Sequence, residues 1–389
     1  MNEFKKVKIK EIGRVVTGHT PPTKEREYYS DEYVFIKPTD MKIGERYVLE
    51  TEEKLSKLAY EKYKKALIPP MATCVVTIGS LGKKLCLTSA HCFTNQAVNA
   101  VIPYDNYDKF FVYYLFKYVN PAVENLSNGT ASGRDNVSKG SFENLNVIVP
   151  VSKEYQRQVA SVLCAYDDLI EVNNRRIQLL EETGRELYKE WFLRMRFPGY
   201  KKAKFVKGIP ANWEIKKLGE VVELCYGKAL KEGDRIEGKY PVYGSSGIVG
   251  THNSYFVTSP GIIVGRKGNV GSVYWASENF YPIDTAFFVR TEISLYYTFF
   301  NLGHQNFIEG DSAVPGLNRN QAYSNLMLVP PREHLDKFDK IIKPIFSMLS
   351  NLEEQNTQLR QIRDKLLPRL ISGKLAIKEY GKLNHGVVV

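Results

Sequence analysis

The sequence is poor in the residues that build metal centres, redox sites and membrane spans. Its five cysteines, Cys74, Cys86, Cys92, Cys164 and Cys225, are odd in number and never spaced C-x-x-C. That argues for free thiols and against a zinc site. The six histidines, His19, His91, His252, His304, His334 and His385, are scattered singly, so none has metal-ligand spacing. No apolar run approaches the roughly eighteen residues that a membrane span needs. The start, MNEFKKVKIK, is basic but lacks the apolar stretch of a signal peptide. The expectation is a cytoplasmic protein with no membrane partner.

Catalytic signatures are missing too. No G-x-x-x-x-G-K-[ST] phosphate loop occurs; the nearest stretch, Gly79–Lys84, has the wrong spacing. There is no glycine-rich dinucleotide or S-adenosylmethionine turn between a strand and a helix. The pairs Pro21-Pro22, Pro69-Pro70 and Pro330-Pro331 lack the flanking Asn/Asp and aromatic residues with which amino-methyltransferases hold a target base. Neither G-x-S-x-G nor H-E-x-x-H is present. The expectation is a chain that catalyses nothing alone and carries no cofactor.

What is present is basic, aromatic and repetitive. The formal charge of +11 favours a polyanionic partner. The 43% apolar content over 389 residues is enough for two or three domains with buried cores. A heptad runs through Val159, Leu163, Tyr166, Ile170, Asn173, Ile177, Leu180, Gly184, Leu187 and Trp191, alternating steps of four and three as a two-helix seam requires. A second seam is expected at Ile341, Ile345, Met348, Leu352, Gln355, Leu359, Ile362 and Leu366, with Phe338 upstream. Asn173 and Gln355 fall at equal heptad positions, 182 residues apart, and are expected to fix an antiparallel register. Ser152 is placed to cap the first helix, and Pro344 should start or kink the second.

The blocks around these helices repeat. Ile9-Lys10-Glu11-Ile12-Gly13-Arg14-Val15-Val16 matches Ile215-Lys216-Lys217-Leu218-Gly219-Glu220-Val221-Val222 at five of eight positions. Each block then has short β-rich segments, a Gly-punctuated turn (Gly79–Lys84; Gly265–Gly271), an apolar-aromatic helical stretch (Phe110–Val119; Ser294–Leu302) and a polar loop (Asn128–Ser141; Gly310–Gln321). Each closes on a strand, Asn144–Pro150 or Asn325–Pro331. The fold class read from this is α+β: two globular β-rich domains joined by two long antiparallel coiled-coil helices. Its domains are 1–150, helix 151–195, 196–331 with a linker at its start, helix 332–375, and a tail 376–389.

The candidate binding residues are loop residues mixing basic, amide and hydroxyl groups. Such groups anchor phosphates and read base edges, arginine and lysine on guanine, asparagine and glutamine on adenine. In the first block they are Lys37, Thr39 and Asp40, then Ser80, Lys83 and Lys84, then Ser132, Arg134, Asn136 and Lys139. In the second they are Tyr243, Ser245 and Ser246, then Arg266, Lys267 and Asn269, then Asn318, Arg319 and Asn320. The plainer reading makes these loops tight turns with solvated tips, and assigns Asn95-Gln96 and Asp284-Thr285 to turn hydrogen bonds. On the helices, Asn173, Leu179, Leu187, Tyr188, Trp191, Phe192, Gln355, Leu366 and Leu367 are candidates for contacts with other chains or with the adjoining blocks.

Several stretches carry a family resemblance: Asn173–Thr183 with Leu187–Phe192, Leu366–Leu375 (LLPRLISGKL), Gly265–Gly271 (GRKGNVG), Pro315–Asn318 and the opening IKKLGEVV. The chain resembles the specificity subunit of type I restriction–modification systems over essentially its whole length. The resemblance implies two target-recognition domains, each reading one half of a bipartite double-stranded DNA target across a helical spacer. It further implies two docked modification subunits that methylate adenine with S-adenosylmethionine, and restriction subunits that use ATP and Mg2+. The first block departs from the pattern, with Gly79-Ser80-Leu81-Gly82 where the second has GRKGNVG, so arginine readout there is not carried across. Two other readings remain open: a duplicated coiled-coil adaptor for protein or glycan, and a stand-alone DNA enzyme with divergent motifs.

Overall fold

The computed structural model describes residues 3–126, 136–307 and 316–377. The chain divides into two compact units, Met1–Val172 with Asn356–Val389, and Asn173–Gln355. Each unit thus owns one β-rich block and a stretch of both long helices.

In the first unit Phe4–Lys8 pairs antiparallel with Asn146–Pro150, so the start of the block is tied to its closing strand. A four-stranded antiparallel sheet has the order Gly13–Thr17, Val98–Pro103, Thr73–Val76, Leu85–Leu87. A three-stranded sheet has the order Lys54–Leu55, Tyr29–Ile36, Cys92–Thr94, the last pair parallel. The aromatic helix Lys109–Glu124 begins at Asp108, whose carboxylate accepts the Phe111 N–H at 2.9 Å. Its residues Phe111–Phe116 are all buried, in one core with Val159 and Leu163 of the first long helix and Leu367 and Leu370 of the second.

The second unit repeats this plan strand for strand and adds a hairpin ahead of it, Phe205–Val206 paired with Ile209–Pro210. Glu214–Lys217 pairs with Leu326–Val329. The four-stranded sheet runs Val222–Tyr226, Ala286–Thr291, Gly261–Gly265, Val273–Ala276. The three-stranded sheet runs Gly247–His252, Tyr240–Gly244, Tyr281–Pro282, again with its last pair parallel. Helix Leu295–Leu302 is capped by Ser294, which accepts the Tyr297 N–H at 3.0 Å. The repeat seen in eight residues of sequence therefore extends to the whole topology. Two short helices, Lys139–Glu143 and Arg319–Ser324, occupy the ends of segments that composition alone reads as loop.

The long helices span Lys153–Tyr188 and Arg332–Ile371. Ser152 accepts the Tyr155 N–H at 3.2 Å, as an N-cap does. The first helix ends in a π-helical turn, Lys189–Leu193, that turns Trp191 and Phe192 into the core of the second unit. Every seam position read for it is buried or half-buried. Gly184 is one of them: a Cβ there would lie 3.1 Å from the Phe300 ring and 3.3 Å from Ile342.

The second seam needs correction. Ile341, Met348 and Ile362 are exposed at 46%, 52% and 44%, and Gln355 is exposed too. The protected stripe runs Phe338, Ile342, Ile345, Leu349, Leu352, Asn356, Leu359, Arg363, Leu366, Leu370. Half of the expected positions shift by one residue. Each heptad offers two adjacent candidates there, and the apolar choice, Ile362 over Arg363, is the wrong one. Gln355 therefore is not the interior polar residue; Asn173 and Asn356 are buried instead. Pro344 does not start the helix either, which begins twelve residues earlier. A proline inside a helix, through the lost hydrogen bond and the ring's clash with the preceding turn, costs about 3 kcal/mol, and burial of Leu335, Phe338 and Ile342 nearby outweighs that.

The reason Arg363 tolerates burial is Asp167. In the first unit Arg363 forms an ion pair with Asp167, and both side chains are about nineteen-twentieths buried. Asp167 also accepts the Tyr114 hydroxyl at 2.7 Å and lies 3.9 Å from the Lys117 ammonium. Burial pushes the Tyr114 hydroxyl far above its ordinary range, with Asp167 adding to the shift. Beside this cluster, Arg46 reaches from the β-rich block to Asp168 at 2.5 Å and Glu171 at 2.9 Å on the first long helix. Lys117 Nζ has no hydrogen-bond partner among the described residues.

Asp167→Asn should leave Lys117 without a counter-charge and Arg363 with Asp364 alone, and destabilise the first unit by about 3–5 kcal/mol, read by urea unfolding. A loss under about 1 kcal/mol, the range of a surface pair, would contradict this. Lys117→Met should have the opposite sign. Burial lowers the Lys117 pKa, Asp167 only partly restoring it, so the folded state resists the ammonium. The penalty is present at neutral pH and disappears as pH rises from that lowered value past the ordinary 10.5 of the unfolded chain. The stability gain of Lys117→Met should therefore be largest at pH 7 and shrink toward pH 10.

Candidate nucleic-acid interface

Each unit gathers the ends of five strands on one rim. In the first unit Gly18, after Gly13–Thr17, donates its N–H to Val98 O at 3.2 Å, and Asn95, after Cys92–Thr94, donates to Ile36 O at 3.2 Å. In the second unit Gly227 donates to Ala286 O at 3.2 Å and Ile283 to Tyr243 O at 2.9 Å. These are equivalent bonds. Both glycines are required by close approach: a Cβ at Gly18 would sit 2.2 Å from the Asn95 and Thr94 carbonyls, and at Gly227 2.2 Å from the Ile283 carbonyl.

On the first rim, three of the sequence-derived segments come together. Lys84 Nζ donates to Pro38 O at 2.7 Å, joining the Gly79–Lys84 turn to the Lys37–Asp40 turn. Ile78 bridges Asn136, and Val137 N–H donates to Thr77 O at 2.9 Å, bringing in the start of Asn136–Lys139. Thr39, Ser80 and Lys83 are exposed at the tips. Lys139 is exposed on its short helix, 3.5 Å from Glu143. Lys37 is held by Glu52 at 2.9 Å and Glu53 at 3.1 Å. Burial alone would lower its pKa, but the two carboxylates outweigh that and hold it above the ordinary lysine value. Ser132 and Arg134 lie outside the described residues. Sequence reasoning missed a polar relay beneath the rim: Thr17 Oγ1 donates to Asn99 Oδ1 at 2.7 Å, and Asn99 Nδ2 to Thr77 Oγ1 at 3.2 Å. These residues sit on ordinary β-alternation, and nothing in their spacing marks them.

The second rim is tighter. Arg266 and Lys267 both donate backbone N–H to Thr285 O, at 2.9 and 3.1 Å, and Leu317 N–H donates to Arg266 O at 2.8 Å. Ser272 Oγ ties Ser245 O at 2.6 Å to Asn269 O at 2.8 Å. The turns at Ser245-Ser246, Arg266–Asn269, Asp284-Thr285 and Gly316–Arg319 thus form one surface. Ser246 and Asn269 are exposed tips. Asn318 spends its side-chain oxygen on the N–H groups of Asn320 and Gln321, at 3.1 and 3.2 Å. Tyr243 is buried, 7% exposed, and belongs to the wall beneath the rim. Arg266 donates to Asp284 O at 2.9 Å and lies over the Tyr226 ring, 4.9 Å from its centre. Arg319 lies 5.1 Å from the centre of the same ring. Tyr226, 49% exposed, is the residue sequence reasoning missed here, since it reads as the last residue of a strand.

The family model described as the type I restriction modification DNA specificity domain matches residues 1–182 and 210–366, spanning most of both units. The chain belongs to this DNA specificity family. Within the family it is 26% identical, over 96% of its own length and 93% of the relative's, to the MjaIX specificity subunit of Methanocaldococcus jannaschii, a type I restriction enzyme. It is 30% identical to the HindI specificity subunit of Haemophilus influenzae over 40% of this chain and 34% of that one. The crystal structure of the S subunit of a type I system from M. genitalium shares the fold, with a TM-score of 0.61 at 18% identity over 95% of this chain and 96% of that one. Recognition of DNA sequence is thus the role of this specificity chain. No helix among the described residues is long and apolar enough to cross a membrane.

The helix candidates for partner contact separate in the structure. Tyr188, Trp191, Phe192 and Leu367 are core residues of their own units, and Leu187 and Leu366 are half-buried against those cores. Asn173 is buried. Leu179, 47% exposed, and Gln355 remain on the surface.

Two lysines of the first rim should behave differently in DNA binding. Lys83→Ala should reduce the magnitude of the slope of log affinity against log salt by about 0.9, the contribution of one phosphate contact. Lys37→Ala, already neutralised by Glu52 and Glu53, should leave the slope unchanged. Equal slopes for both variants would place Lys83 outside the interface.

Proposed function

We propose that this chain is the sequence-reading, non-catalytic subunit of a type I restriction–modification complex, and that each rim reads one half of a bipartite double-stranded DNA target. The observation that carries the reading is the duplicated rim: two equivalent sets of strand ends, each presenting lysine or arginine with amide and hydroxyl groups, on a chain whose family is defined by DNA specificity. Because Thr77, Ser80 and Lys139 on one rim stand where Arg266, Asn269 and Arg319 serve the other, the two half-sites differ in sequence. In this reading residues 1–150 and 196–331 are the target-recognition domains, the helices 151–195 and 332–375 set the spacing between half-sites, and residues 376–389 are a tail.

Two modification subunits dock on exposed helix faces, of which Leu169 and Val172 offer one in the first unit and Leu179 one in the second. They bring S-adenosylmethionine and methylate adenine, while restriction subunits bring ATP and Mg2+. Catalysis thus resides on the partners.

Methylome sequencing of cells carrying this chain with a modification subunit should show a two-part motif. Replacing residues Gly13–Asn144 with the block of another family member should change one half of that motif and keep the other. An unchanged motif, or one altered in both halves, would reject the two-reader model.

A further inference from the structure

The two arginines of the second rim are held in different ways, and that difference assigns them different tasks. Arg266 is an anchored group: its guanidinium donates to Asp284 O, and its backbone carbonyl holds Leu317. Arg319 makes no hydrogen bond or ion pair among the described residues. Its guanidinium is instead positioned by aromatic faces, 5.1 Å from the Tyr226 ring centre and 5.8 Å from that of Tyr323. Tyr323 is itself fixed, accepting the Leu224 N–H at 2.9 Å. An aromatic face holds a guanidinium without consuming its N–H groups, so Arg319 keeps its planar fork of donors free while its rotamer freedom is already reduced. A phosphate accepts an arginine from many directions and needs no such arrangement; a base edge fixes both the plane and the direction of its two acceptors, and needs the fork held in that plane. In duplex DNA that partner is the O6/N7 edge of guanine in the major groove.

Resting on the reading of the second rim as a DNA reader, we infer that its half-site contains a G·C pair read by Arg319, with Tyr226 as the positioning residue that presents it. The hydroxyl of Tyr226 plays no part in this; only its ring does. Arg319, rather than the anchored Arg266, is the base reader, and the Tyr226 ring presents it.

The test uses the full chain assembled with a modification subunit, and reads the methylated motif together with binding to duplexes substituted one base pair at a time. Wild type should show a G·C pair in one half whose replacement weakens binding about 5- to 150-fold, the range of a bidentate arginine–guanine pair. Arg319→Ala should abolish discrimination at that position alone. Tyr226→Leu should lose most of it, and Tyr226→Phe should retain it. If Arg319→Ala weakens binding equally for all sequences, Arg319 is a phosphate contact and the inference falls. It falls also if neither half contains a G·C pair, or if Tyr226→Leu matches wild type. A chain that shows no sequence-dependent binding at all would instead overturn the DNA-reading function itself.

Discussion

Asp167 sits where three elements of the first unit meet, and its charge dictates how they meet. A carboxylate removed from water must be surrounded by donors. Arg363 supplies one set from the second long helix and Tyr114 another from helix Lys109–Glu124, while the Lys117 ammonium adds its charge from 3.9 Å. An apolar seam alone would let these helices slide by a residue or rotate by a fraction of a turn at small cost. A buried ion pair does not, because any displacement leaves a cation without its partner. Arg46 extends the same constraint to the β-rich block through Asp168 and Glu171, and burial, which alone would lower its pKa, is outweighed by those carboxylates.

The second unit reaches a comparable result without charge. Tyr188, Trp191 and Phe192 from the end of the first long helix mesh with Tyr297, Phe300 and Phe338, at ring separations between 4.7 and 5.8 Å. Asn301 donates to the Tyr188 hydroxyl at 3.2 Å, and burial pushes that hydroxyl up to about 12. Edge-to-face aromatic packing is directional enough to orient the helix end. The two copies of one topology thus rely on different chemistry at equivalent junctions.

This explains what could be read from the sequence and what could not. Heptads, the IKxxGxVV repeat, the closing strands and the basic loops are local patterns, and they located both helices, the duplication and most rim segments. The register of the second seam was not legible, because choosing Arg363 over Ile362 requires knowing that Asp167 lies against it. Tyr226 was hidden for a similar reason: an exposed ring at a strand end acquires meaning only when Arg266 and Arg319, from two distant turns, are seen to converge on it. Conversely, Tyr243 and Lys37 lie in rim segments, yet one side chain is packed into the wall and the other neutralised by carboxylates. Composition reports which groups a loop carries, while neighbours decide which of them remain available.

The carbonyl-crowded glycines at the rims, Gly18 and Gly227, separate two kinds of residue. The backbone bonds around them hold the strand ends together and admit no side chain. The tips beyond, such as Ser80, Lys83, Ser246 and Asn269, project into solvent and support little of the fold. Changes at the tips therefore cost little stability and can accumulate by drift. In the proposed two-reader function, a chain built in this way can acquire new target sequences one rim at a time, without passing through poorly folded intermediates.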